Sequence, residues 1–136
     1  MTEPTDNRPI IHITNDVDFL TSLPAMVGIV PANDLVAVAF TETAEMICTL
    51  RIGSRAHPDN IDQMLAVIDD QAHSMIAVIV EEDFEVAGNL GKYVVARLGD
   101  KVRSVYAMPV MAPGAHWVEL SSGTQGEMGD YATSDL

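Results

Sequence analysis

The stretch MIAVIV, residues 75 to 80, constrains the fold of this chain most strongly, because it is apolar on both of its faces. A strand with one face in water alternates apolar and polar residues, whereas a strand covered on both faces has a continuous apolar run. The stretch therefore predicts a central strand of a parallel or mixed sheet, with packed layers on both sides.

Two helical patterns flank this strand. Their apolar residues recur three or four positions apart, which is the spacing of one face of a helix. The first stripe consists of Ile61, Met64, Leu65, Ile68 and Ala72, and the second of Phe84, Ala87, Leu90, Val94 and Leu98. A strand, a helix and a further strand between residues 75 and 110 predict a βαβ unit, whose connection is right-handed by default.

The segment before residue 35 predicts a strand and then an interrupted helix. PIIHIT, residues 9 to 14, is a β-branched run, and Asn15 is a favourable N-cap for the helix that follows. Pro24 cannot lie inside a helix without breaking a hydrogen bond of its ladder, so we expect the helix to end or kink near Ser22. A second, short helix then ends at Gly28, for which we expect a positive φ.

Two short apolar runs, LVAVAF and MICTLRI, predict a pair of strands at residues 35–40 and 46–52. Their short connection makes them an antiparallel hairpin. Met46, Cys48, Leu50 and Ile52 share one face of the second strand, so Cys48 is predicted to be an inert core thiol. Further strands are predicted at residues 102–111 and 116–120.

These elements follow the order β-α-β-β-α-β-α-β-β. They predict an α/β fold, a layered sandwich with a mixed, partly parallel sheet flanked by helices. The length of 136 residues suits a single domain. We expect a flexible arm at residues 1–8, the domain at residues 9–120, and a flexible polar tail at residues 121–136.

Acidic residues dominate the charge of the chain, and its net charge is −13. Phosphates need a basic footprint and anionic membranes repel such a chain, so we expect neither direct nucleic-acid binding nor membrane binding. Between Ala56 and Gly91 there are eight carboxylates and no Lys or Arg. The eight are Asp59, Asp62, Asp69, Asp70, Glu81, Glu82, Asp83 and Glu85.

This acidic segment contains a candidate partner face. Asp62, Asp69, Glu82 and Glu85 lie off the apolar stripes of their helices, so we expect them in solvent. Three interpretations stay open: a surface that only keeps the protein in solution, a face for a basic protein partner, and a mimic of nucleic acid. Trp117, the only tryptophan, is a further candidate for this partner face as an interface anchor, or else part of the core.

Polar residues also follow two predicted strands where each leads into a helix. Asn15 and Asp16 follow the strand at 9–14, and Glu81 and Glu82 follow the strand at 75–80. If these strands are parallel neighbours, the four residues share one rim of the sheet, where α/β folds bind ligands. Their oxygen atoms suit a divalent cation there. The simpler interpretation is that they cap helices.

No catalytic signature is present: no P-loop, dinucleotide-binding glycine motif, nucleophile elbow, C-x-x-C or H-E-x-x-H. The four histidines are scattered, so the sequence predicts no metal site and no cofactor, and it leaves open whether the chain is an enzyme. A single cysteine, the lack of an apolar run long enough to span a membrane, and an acidic N-terminus unlike a secretory signal together predict a cytoplasmic protein.

FLTSLPAMVGIVPANDLVAVAF followed by ICTLRI resembles the actinobacterial domain of unknown function 4192 family. The matching residues are Leu23, Pro24, Ala25, Gly28, Pro31, Asp34, Val36, Leu50 and Arg51. The match is strongest over residues 17–55. It departs at Leu35, where the family has serine, and at Val30, where it has a His-like residue, and family members continue into a further segment. The resemblance implies an actinobacterial or actinophage source, and it implies no activity and no catalytic residue.

These observations favour a non-enzymatic binding or regulatory protein that acts through protein–protein contacts, with another protein or with itself. A basic partner on the acidic face is one form of this hypothesis. The alternatives are a small ligand- or metal-binding enzyme that uses the acidic rim, and an acidic mimic of nucleic acid.

Overall fold

The computed structural model describes residues 16–129. Its helices are α1 (Asp16–Val27), α2 (Pro58–Gln71) and α3 (Phe84–Leu98), and a 3₁₀ turn follows at Gly99–Lys101. Its strands are β1 (Asp34–Phe40), β2 (Met46–Gly53), β3 (Ser74–Val80), β4 (Val102–Met108), β5 (His116–Glu119) and β6 (Gln125–Glu127). None of the described helices is long and apolar enough to cross a membrane.

The six strands form one open sheet in the order β2-β1-β3-β4-β5-β6. β3 and β4 are parallel, and all other neighbours in the sheet are antiparallel. This confirms the predicted α/β class with a mixed sheet, and it confirms the hairpin of β1 and β2. The strand predicted at residues 9–14 and the arm predicted at residues 1–8 lie outside the described residues.

Helices cover both faces of the sheet. On one face, Leu65 of α2 and Val94 of α3 pack against the apolar side chains of β1, β3 and β4. On the other face, Phe19 and Leu23 of α1 do the same. β3 lies between the two layers, and every residue from 75 to 80 is buried, as its continuous apolar run predicts.

Helix α1 runs through Pro24 as far as Val27, so it does not end near Ser22 and the predicted second, short helix is part of α1. Pro24 removes one N–H from the ladder. It is nevertheless buried together with Leu23 of the same helix, and burial of this apolar face outweighs the missing hydrogen bond. The helix ends as predicted at Gly28, whose φ is 86° and whose amide donates to the carbonyl of Pro24 at 2.8 Å.

A β-bulge alters the faces predicted for β2. The register shifts between Ala39, which is opposite Cys48, and Phe40, which is opposite Met46, so that Ile47 is the extra residue. Cys48 therefore packs towards α2 and α3, while Met46 packs on the side of α1. The prediction that these two residues share a face is wrong. Cys48 is half-buried, because β2 is an edge strand.

A sixth strand lies within the segment for which the composition predicts a flexible polar tail. β6 pairs with β5, with Gly126 opposite Trp117, and Met128 after it is buried. A Cβ at position 126 would lie 2.5 Å from the ring of Trp117. Glycine is therefore required at position 126 for packing. Composition alone does not show whether a glycine is present for packing or for flexibility. Residues 130–136 lie outside the described residues.

Candidate functional site

Helix α3 provides one wall of the candidate site. Asp83 caps the helix, and its carboxylate accepts hydrogen bonds from the amides of Glu85 and Val86. The buried side of the helix consists of Ala87, Leu90, Gly91, Val94 and Leu98. Phe84 was predicted to share this buried side, but it is 62% exposed at the first position of the helix. The helix therefore has apolar residues on two sides.

A groove of about 760 Å³ runs between the second apolar side of α3 and strand β5. Phe84, Gly88 and Val95 line the helix wall, and Val118 and Leu120 line the sheet wall. Val95 is 43% exposed, so this helix presents two large apolar side chains, about three turns apart, to solvent along the groove. Concave apolar surface is typical of sites that bind a ligand or another protein.

Close packing of α3 on the sheet determines the shape of the groove. A Cβ at Gly91 would lie 2.7 Å from Leu120 Cδ1 and 3.3 Å from Val105 Cγ1. Leu120 is held in place by its amide, which donates to the carbonyl of Val105 at 2.7 Å. Glycine at position 91 thus lets the helix approach β4 and leaves Leu120 as part of the groove wall.

The margin of the groove is charged. Glu85 and Lys92 both line it and both are exposed. Glu82 and Asp83 are also exposed, immediately before the helix begins. The groove therefore has an apolar floor, an acidic end at the N-terminus of α3, and one basic side chain further along. Glu85, predicted as part of an acidic partner face, lies at this margin.

Glu81 is buried at the end of β3, and its carboxylate is fully used within the fold. Its Oε1 accepts from Ser54 Oγ and Arg55 Nε, both at 2.9 Å. Its Oε2 accepts from Arg55 Nη2 at 3.1 Å and from the amide of Asp83 at 2.8 Å. The hydrogen bonds from Arg55 and from the Asp83 amide outweigh burial and lower the pKa of Glu81 to about 2. Glu81 therefore fastens the end of β3 to the loop after β2.

The structure describes three of the four residues of the predicted acidic rim. Within the described residues, β3 lies between β1 and β4, and the strand predicted at residues 9–14 lies outside them. Asp16 instead accepts a hydrogen bond from the hydroxyl of Tyr106, on the α1 side of the sheet. Asn15 lies outside the described residues, and Glu82 is exposed near Glu81. Within residues 16–129, no three His, Cys, Asp or Glu side chains are grouped so as to hold a metal ion.

The fold also brings basic groups to the acidic segment. Asp62 accepts a hydrogen bond from the Tyr93 hydroxyl, and its Oδ1 lies 3.8 Å from Arg97 Nε. Asp69 Oδ1 lies 3.3 Å from Lys101 Nζ. These two carboxylates join α2 to α3 and to the turn after it. The predicted face is therefore not an unbroken acidic surface, because basic residues distant in sequence partly neutralise it.

Trp117 belongs to the core, and its prediction as an interface anchor is wrong. It is 2% exposed, and its ring meets that of Tyr106 edge-on at 5.7 Å between centroids. Tyr106 in turn stacks on Phe19 at 6.0 Å. The indole Nε1 of Trp117 is buried, with no hydrogen-bond partner among the residues that the structure describes. The core alternative of the sequence analysis is the correct one.

Glu119 is a buried carboxylate that the sequence analysis missed. It accepts hydrogen bonds from the amides of Val105, Ser121 and Ser122 and from the hydroxyl of Ser121. Burial disfavours its charged form, but these hydrogen bonds outweigh burial and lower the pKa of Glu119. The Ser-Ser-Gly sequence after it signals a turn, but Val105 is too distant in sequence to be recognised as a partner.

The groove itself was also missed by the sequence analysis. The available signal was the pair of glycines inside one helical pattern, Gly88 and Gly91, because glycine is unfavourable in a helix interior. Such glycines mark close approach of another element. Which element approaches becomes clear only when the helix is placed on the sheet.

Comparison with known proteins gave no family model, no curated protein and no solved structure that matches this chain. The resemblance of residues 17–55 to the actinobacterial domain of unknown function 4192 family stays a prediction.

Proposed function

We propose that the protein acts by binding another protein chain in the α3–β5 groove, without catalysing a reaction. The observation that carries this proposal is the exposed apolar lining, in which Phe84 and Val95 face solvent beside Val118 and Leu120. Covering apolar surface contributes about 25 cal/mol for each Å² removed from water. A partner that fills the groove therefore gains free energy that the isolated chain does not realise.

An amphipathic helix is the partner segment that suits this groove. The groove is open along α3, and helices bind such sites through apolar residues three and four positions apart. Glu85 lines the groove at the start of α3, and the exposed Glu82 and Asp83 immediately precede the helix. A basic residue of the partner is favoured at this end, because opposite charges improve orientation and the rate of association. The basic partner considered in the sequence analysis is thus retained, but its contact is proposed at the start of α3 rather than on α2.

The other two functions have less support. An enzyme built on the acidic rim needs carboxylate oxygens that are free to bind a cation, whereas the oxygens of Glu81 already accept four hydrogen bonds. A mimic of nucleic acid needs a row of unpaired carboxylates, whereas Asp62 and Asp69 have basic partners in the same chain.

Site-specific photo-crosslinking tests the proposal directly. Phe84 is replaced by p-benzoyl-phenylalanine, and the native cells are irradiated. We expect a crosslinked product that contains a second polypeptide, whose identity mass spectrometry establishes. The same replacement at Val67, which is 44% exposed on α2 and lies away from the groove, is the matched control and should give no such product.

A second variant links the product to the groove. Val95→Asp, placed in the chain that carries the crosslinker at position 84, should abolish the product, because it puts a charge on the apolar wall. Products that are absent at position 84, or equally abundant at position 67, would remove the proposed function.

A further inference from the structure

Helix α3 carries two pairs of exposed residues that are arranged symmetrically about one point. In an antiparallel pair of identical helices related by a two-fold axis, residues at equal distances on either side of the axis face each other. The midpoint of Glu85 and Lys92 lies between Gly88 and Asn89, and the midpoint of Phe84 and Val95 lies one residue later. All four of these paired residues are exposed and line the groove.

One two-fold axis near Asn89 therefore satisfies both pairs at once. It places Glu85 of each helix beside Lys92 of the other, so that two ion pairs form. It also places Phe84 of each helix beside Val95 of the other, so that the exposed apolar residues cover each other. A two-fold interface requires a surface that is complementary to itself, and this arrangement makes α3 so in both charge and apolar residues.

Gly88 provides a second, independent observation. A Cβ at this position would meet no atom of residues 16–129 within 4 Å, so packing among these residues does not account for glycine there. Gly91, by contrast, lies against Leu120, whose side chain would have to shift to admit a Cβ. Glycine in a helix interior costs about 1 kcal/mol relative to alanine. A close approach of a second helix at the two-fold axis is what glycine at position 88 permits.

From these observations we infer that the occupant of the groove is helix α3 of a second copy of this chain. This inference rests on the proposed function and names the partner. The Lys92 side chain of the second copy is then the basic residue that the acidic end of the groove receives. The net charge of −13 on each copy opposes association, so moderate salt, which screens this long-range repulsion, favours the dimer.

Charge exchange tests the symmetry of the interface, with the dissociation constant measured by sedimentation equilibrium. Glu85→Lys and Lys92→Glu each bring like charges together twice, and we expect each to weaken the dimer by roughly tenfold or more. The double variant Glu85→Lys/Lys92→Glu restores opposite charges and should return the dissociation constant to within about threefold of wild type. If net charge alone controlled association, the two single variants would act in opposite directions. Glu85→Lys, which changes the net charge from −13 to −11, would strengthen the dimer, and Lys92→Glu, which changes it from −13 to −15, would weaken it.

Gly88 allows a test that does not depend on charge. Gly88→Leu has space in the monomer and a better helix propensity, so its melting temperature as a monomer should not fall. It should nevertheless weaken the dimer by roughly tenfold or more, because the added side chain prevents close approach of the helices.

The outcomes separate the inference from the proposed function. A wild-type chain that stays monomeric at millimolar concentration overturns the inference, and so does a dimer whose affinity ignores both charge variants and Gly88→Leu. The proposed function survives these results if photo-crosslinking at position 84 captures a different polypeptide. It fails together with the inference if position 84 captures no polypeptide.

Discussion

Gly28, Gly91 and Gly126 illustrate how local surroundings select glycine in this chain. Gly28 adopts a positive φ, Gly91 lies against Leu120, and Gly126 lies against Trp117. Among the described residues, neither Gly88 nor Gly53 has a positive φ or an atom within 4 Å of an added Cβ. Gly88 differs from Gly53 because it lies inside a helix, where glycine is unfavourable, and because it lines the groove of the proposed binding site.

Gly28→Val should lower the free energy of unfolding by about 1 kcal/mol or more, because a β-branched residue is strained at a φ of 86°. Urea denaturation measures this change. Gly53→Val is the matched control, since Gly53 also has open space around a Cβ but does not have a positive φ. Equal stability of the two variants would remove the C-cap interpretation of Gly28.

Glu81 predicts a specific dependence of stability on pH. Its pKa in the folded chain is about 2, below its ordinary value of 4.5. The charged carboxylate therefore contributes stability that is complete above pH 4.5 and is lost as pH falls from there towards 2. We expect Glu81→Gln to lower the melting temperature at pH 7 and to reduce its fall between pH 5 and pH 3.

The comparison with a neighbouring acid isolates this effect. Glu82→Gln removes the same charge from an exposed position one residue away. It should leave both the melting temperature and its pH dependence close to those of wild type. If the melting temperatures of the two variants change in the same way between pH 5 and pH 3, the Glu81–Arg55 contact does not stabilise the fold as described.

At the scale of elements, the patterns that depend on local periodicity were predictable. The buried run of β3, the stripe of α2 and the hairpin of β1 and β2 all follow from residue spacing, and the structure confirms them. The errors occur where distant contacts override a local rule. Burial of α1 outweighs its internal Pro24, a bulge moves Met46 to the other face of β2, and Trp117 orders the glycine-rich β6.

Cys48 tests the faces assigned to the edge strand β2. Its side chain packs towards α2 and α3 and is half-buried. We expect a thiol reagent to modify it in the native chain at a small fraction of its rate in the unfolded chain, since thiols in apolar contact react slowly. Rapid stoichiometric modification of the native protein would show that Cys48 faces solvent and that the register assigned around the bulge is incorrect.

At the scale of the whole molecule, the distribution of charge was the least predictable property. The sequence shows eight carboxylates and no basic residue between Ala56 and Gly91, but folding brings Arg97 to Asp62 and Lys101 to Asp69. The acidic partner face was predicted from neighbours in sequence alone, whereas the acidic rim depended on two strands being parallel neighbours. The groove depends on how α3 lies over β4 and β5, which no local pattern contains.

The native size of the protein tests the central claim most directly. Wild type, Val95→Asp and Val67→Asp are each expressed in the native cells, and gel filtration of the extract at moderate salt gives the mass of the species that contains the chain. We predict that wild type and Val67→Asp elute in an assembly larger than the 14.7 kDa monomer and that Val95→Asp elutes as the monomer. Elution of wild type as a monomer, or of Val95→Asp with wild type in the same assembly, would contradict the claim that the α3–β5 groove binds a protein chain.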